Sequence, residues 1–114
     1  MDVFHFKLVL LEKDHGQPAD LKVGDSISVS LDEADAIYVG RAPEVDVLVH
    51  APTVGRRVIR LFLRPEGLRV EDLGSGGGSA LEINGLRLSR PNSLVPDQSV
   101  LWIGGVAFRV EFEK

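Results

Sequence analysis

Apolar side chains fall on every second position along much of this chain, and the alternation marks out where strands should lie. Phe4, Phe6, Leu8 and Leu10 share one face of a first predicted strand. Ile27, Val29 and Leu31 share a face of the second, and Val106, Phe108, Val110 and Phe112 a face of the last. Shorter apolar runs lie between them at 37–39, 47–49, 58–63, 68–72, 81–83 and 100–103. A period of two suits a pleated strand with one buried side, whereas the 3.6-residue period of an amphipathic helix is almost absent. Turn formers at 16–18, 42–43, 65–67, 84–85 and 104–105 separate the runs, roughly at the eight- to twelve-residue spacing of a β-sandwich or barrel. The pattern predicts an all-β fold whose core is built from the alternating residues, each contributing about 1.5–3 kcal/mol on full burial.

Composition narrows the setting. The 114 residues suffice for one domain over 1–114 with its own core, which a longer protein could carry at its N-terminal end. With no cysteine, the chain has neither a disulfide framework nor thiolate metal ligands, and a reducing cytoplasm suits it. The opening MDVFHFKLVLLEKDHG has an acid at position 2 and Lys7 within its apolar run, unlike a signal peptide. No later run approaches the roughly 20 apolar residues of a membrane-spanning helix. A net charge of −4 disfavours nucleic acid as a partner, because affinity for phosphate backbones comes mainly from many Lys and Arg contacts. The charge is unevenly spread, however. Arg41, Arg56, Arg57, Arg60 and Arg64 gather in one stretch, while Asp32, Glu33, Asp35, Glu111 and Glu113 lie elsewhere. Such a cluster fits a single phosphate group better than a polyanion.

One stretch, LGSGGGSA at 73–80, is of low complexity. It is not a nucleotide-binding P-loop, which needs Lys and Ser/Thr after the last glycine and a helix N-terminus facing the anion; here Ser79-Ala80-Leu81 leads toward a strand. Its composition is that of a flexible tether, but it sits between two short strands of one sandwich, so it reads as a loop. His5, His15 and His50 are far apart and share no spacing with carboxylates that would suggest metal ligation or a triad. His5 should face outward from its strand, and the run Asp32-Glu33-Ala34-Asp35 reads as a solvated acidic loop. The sequence therefore predicts neither a catalytic site, nor a metal, nor a cofactor.

The order of elements is more informative than any single residue. From Tyr38 the chain reads YVGRAPEVDVLVHAPTVGRRVIRL, a reversal at RPEG, LRVEDLGSGGGSALEINGLRL, and LVPDQSVLWIGGVAFRVEF. Gly40-Arg41, Asp46-Val47, Asp72-Leu73-Gly74-Ser75, Asn84-Gly85 and Ile103-Gly104 stand in the order of the motifs of the forkhead-associated (FHA) domain, which the chain resembles over about residues 36 to 113. The resemblance implies an FHA-like antiparallel β-sandwich of about eleven strands. Loops at one end of it would bind a phosphothreonine peptide, and the module would be a binding unit and not a catalyst.

Carried over residue by residue, the resemblance makes Arg41 a phosphopeptide contact and aligns TVGRRV with the family's Ser-x-x-His turn. The phosphate-binding serine then falls on Gly55 and the buttressing histidine on Val58. In the second loop Ser75 matches, but the next hydroxyl position is Gly76 and the peptide-holding asparagine is Gly77, followed by Gly78 and Ser79. Two readings follow. In the first, the domain is an adaptor or scaffold, of the kind found in bacterial secretion and signalling proteins, whose partner protein is held with little or no help from phosphate. In the second, Arg41, Arg56, Arg57, Ser75 and Ser79 still hold a phosphothreonine peptide, with arginine replacing the lost hydroxyl. Alternation places Phe62 outward beside Arg60 and Arg64, as an exposed aromatic, and leaves Trp102 partly exposed. These two residues and the sheet edges are candidate surfaces for a partner or for self-association.

Overall fold

A computed structural model of the protein describes residues 3–12, 22–40, 46–48, 59–73, 81–88, 92–103 and 106–113. The chain forms β1 (Phe4–Glu12), β2 (Ser26–Leu31), β3 (Ala36–Gly40), β4 (Val47–Leu48), β5 (Ile59–Arg64) and β6 (Gly67–Asp72). After these come β7 (Leu81–Ile83), β8 (Leu86–Arg87), β9 (Asn92–Leu94), β10 (Val100–Ile103) and β11 (Val106–Phe112). Nine of these segments have three residues or more, while β4 and β8 have two, and the described residues contain no helix. They form two sheets, one in the order β2-β1-β11-β10-β7-β8 and the other β4-β3-β5-β6-β9. Pairing is antiparallel throughout except between β3 and β4, which run parallel. The all-β sandwich expected from the alternation is the observed architecture.

The core lies between the sheets and is made of the residues that the period of two selects. Phe6, Leu8 and Leu10 of β1, Leu31 of β2, and Phe108 and Val110 of β11 are at most 3 % exposed. Across from them Val39, Ile59, Leu61, Leu68 and Val70 are equally buried. Phe4 and Phe112, whose rings meet edge to face at 4.8 Å, pack against the margin of this core; such pairs add about 0.5–1.5 kcal/mol beyond their burial.

Turn chemistry fixes the register. At the β7–β8 hairpin Ile83 pairs with Leu86 across Asn84 (φ 53°) and Gly85 (φ 84°). Positive φ at both positions is the requirement of a two-residue turn matched to strand twist, and Asn-Gly meets it with least strain. Asn84 also ties this hairpin to β10: its Oδ1 accepts the Val100 N–H at 2.8 Å, and its own N–H donates to the Val100 carbonyl at 2.8 Å. The β5–β6 hairpin reverses at Pro65-Glu66 as the sequence suggested, with Arg64 paired to Gly67 (φ 135°).

His5 and the acidic loop lie as expected. His5 is exposed and its Nδ1 sits 2.7 Å from Ser30 Oγ. Glu33, Ala34 and Asp35 are exposed in a turn organised by Asp32, whose Oδ1 accepts the Ala34 N–H.

Candidate functional site

The register of the five-stranded sheet gathers several strand ends at one place. Val39 near the end of β3 pairs with Val47 of β4 on one side and with Ile59, the first residue of β5, on the other; Ile59 in turn pairs with Asp72, the last residue of β6. Gly40, buried, pairs with Leu48. The chain segments 41–45, 49–58 and 74–80 therefore all join strands at this one end of the sheet. Arg41, Gly55, Arg56, Arg57, Ser75, Gly76, Gly77 and Ser79, the candidate binding residues, belong to those segments and lie outside the described residues, as do Val58 and Gly78.

The frame beneath them is described. Tyr38 and Asp46 hold the base of the β3–β4 connection from both sides: the Tyr38 N–H donates to Asp46 Oδ2 at 2.8 Å, and the Asp46 N–H donates to the Tyr38 carbonyl at 3.1 Å. A carboxylate accepting a backbone N–H forms a charge-assisted bond, roughly twice as strong as a neutral one. Asp46 thus positions backbone at the base of this connection. Nothing in its place in the sequence separates this role from that of a ligand contact, since an acid before a two-residue strand fits both.

Phe62 is not the exposed aromatic that alternation predicted. It points away from the core as expected, yet it is only 4 % exposed, because the guanidinium groups of Arg60 and Arg64 lie over its ring at 4.4 and 4.6 Å from the centroid. The flanking arginines at i−2 and i+2 share its face, and their long stems cover apolar surface while the charges stay near water. Arg60 Nε also lies 2.9 Å from Glu71 Oε1, though its N–H is not directed at an acceptor. The surface at Phe62 is therefore guanidinium over a covered ring and not a bare aromatic. Trp102 is half-buried between the fully buried Leu101 and Ile103, as expected.

At the far end of β5, away from the gathered strand ends, Phe4, Leu63, Leu68 and Phe112 line a cleft of about 290 Å³, with Glu33 and Arg64 as its charged lining. Among the described residues its lining holds a single acid, Glu33. Among the described residues no group of His, Cys, Asp and Glu could hold a metal ion, and no helix is long and apolar enough to cross a membrane.

A family model described as the FHA domain matches residues 37–104. The chain belongs to the FHA domain family. No curated protein matches the sequence closely enough to count as a relative. Solved structures of the same fold include the FHA domain of the CT664 protein from Chlamydia trachomatis, 19% identical with a TM-score of 0.75, covering 96% of this chain and 99% of that one. The FHA domain of an Arabidopsis thaliana hypothetical protein is 18% identical with a TM-score of 0.79, covering 97% of this chain and 87% of that one. Mycobacterium tuberculosis EmbR, solved in complex with a low-affinity phosphopeptide, is 16% identical with a TM-score of 0.74, covering 96% of this chain and 24% of EmbR.

Within the FHA pattern, three of the pieces that fall on described residues have framework roles. Asp46 pins the β3–β4 connection, Asn84-Gly85 turns β7 into β8, and Ile103 is buried at the end of β10. Ser99 was not singled out by the sequence. It is 1 % exposed and its hydroxyl donates to the Pro96 carbonyl at 2.7 Å, shaping the approach to β10; a serine three residues after a proline is too common to signal that.

Proposed function

We propose that residues 1–114 form one non-catalytic protein–protein interaction module, an FHA domain with weakened or lost phosphothreonine recognition that acts as an adaptor or scaffold in the cytoplasm. The observation that carries this reading is glycine at 55, 76 and 77, where the family pattern places a serine, a second hydroxyl and an asparagine. A hydrogen bond to a charged group contributes about 1.5–3 kcal/mol net, so the hydroxyl missing at Gly55 alone weakens phosphate binding roughly ten- to a hundredfold.

A second reading rests on the arginines. Arg41, Arg56 and Arg57 flank the same glycines in sequence, and a guanidinium can grip phosphate through a bidentate fork. The phosphopeptide in the EmbR structure gives this reading a precedent in the same fold. Titrating a phosphothreonine peptide library and its unphosphorylated twins onto the wild-type chain and Arg41→Ala decides between them. The first reading expects no phosphate-dependent binding tighter than the millimolar range while a partner protein is retained in pull-down. Micromolar binding that needs the phosphate and is abolished by Arg41→Ala establishes the second reading and removes the first.

A further inference from the structure

Among the described residues the two sheets end in four edge strands, and β2 differs from the other three. As described, β8 and β4 have two residues and β9 three, whereas β2 runs for six, Ser26–Leu31, with no proline, glycine or charge. Short edges, edge charges and proline are the usual guards against strand addition, and β2 has none of them.

The backbone of β2 is directed to receive a partner. The Leu10 N–H donates to the Asp25 carbonyl at 2.9 Å, which marks Leu10 and Asp25 as a hydrogen-bonded pair. On the other side of β1 the Glu113 N–H donates to the His5 carbonyl at 3.0 Å. Alternation of the ladder then makes Leu8↔Ile27, Phe6↔Val29 and Phe4↔Leu31 the hydrogen-bonded pairs of β1 and β2. The N–H and C=O groups of Ser26, Ser28 and Ser30 consequently point away from β1, and among the described residues no strand lies on that side. The side chains of these serines are exposed, and in the turn that precedes the strand Val23 is 58 % exposed.

The occupant that fits is a second copy of this chain. We infer that β2 pairs antiparallel with β2 of another copy about a two-fold axis at Ser28, joining two six-stranded sheets into one. That register sets Ser26 opposite Ser30 and Ile27 opposite Val29, so polar faces polar and apolar faces apolar. It also brings Lys22 of each copy to the acidic turn Asp32–Asp35 of the other, where each copy has charge of the opposite sign to offer. The strand thus complements itself, as a two-fold interface requires. The inference does not rest on the proposed function.

Analytical ultracentrifugation of the full chain, together with thermal melts, tests it. The wild-type chain should pass from monomer to dimer as its concentration rises to roughly 1 mM. Ser28→Pro should remove the dimer with little change in melting temperature, because the Ser28 N–H makes no bond to β1. Ser28→Lys and Ser28→Glu should each be monomeric, since like charges face each other on the axis, and an equimolar mixture of the two should restore a dimer. A wild-type chain that stays monomeric throughout overturns the inference and leaves the edge to a strand of some other protein. So does a dimer that survives both Ser28→Pro and Ser28→Lys, or a mixture that fails to associate.

Discussion

The outward faces of β5 and β2 are furnished in opposite ways. On β5 the outward residues are Arg60, Phe62 and Arg64, and they cover one another: two guanidinium groups over one ring, with Glu71 of β6 beside Arg60. On β2 the outward residues are Ser26, Ser28 and Ser30, which are too short to cover anything and stand exposed. Position in the sheet accompanies the contrast, since β5 has a neighbour on each side and β2 lies at an edge. A central strand with long side chains can seal its own solvent face, and an edge strand of small polar residues leaves its surface open.

Three substitutions break or sharpen this contrast, measured by chemical denaturation at low protein concentration. Phe62→Ala should cost most, about 3 kcal/mol, as befits the loss of a buried aromatic ring; a cost near zero would mean that the arginines stabilise nothing by lying on it. Arg64→Ala should cost about 0.5–1 kcal/mol through the lost cation–π contact, and in the Phe62→Ala background that cost should shrink toward zero. Ser28→Ala should stay within about 0.5 kcal/mol of the wild type. A larger effect there would show that β2 is covered after all.

The same two strands show how much of the molecule could be read from its sequence. Alternation gave the inward set of β1, β2 and β11 correctly because one apolar face against a common core is what a period of two encodes. Applied to Phe62, the rule gave the right side but the wrong exposure, since periodicity reports direction and says nothing of what neighbouring stems do. β8 and β9 were not foreseen: Leu86-Arg87 and Asn92–Leu94 are too short for a period to develop, and Leu86 is 75 % exposed, so burial leaves no mark on it. The family was legible from the order of its motifs, each weak alone. The candidate contacts at Arg41, Gly55–Arg57 and 75–79 fall outside the described residues, and their assignment rests on that order.

The paired bonds between Tyr38 and Asp46, eight positions apart in the chain, have a consequence for how this domain can change over time. Bringing the ends of a short segment together carries most of its chain-entropy cost, and lengthening a closed segment adds little, about 0.6 kcal/mol per doubling. With the base clasped by Asp46 and by the β3–β4 pairing, substitutions or insertions within 41–45 can alter what that segment presents without disturbing the sheet that carries it. The clasp separates the tolerance of this segment to change from the stability of the frame that carries it.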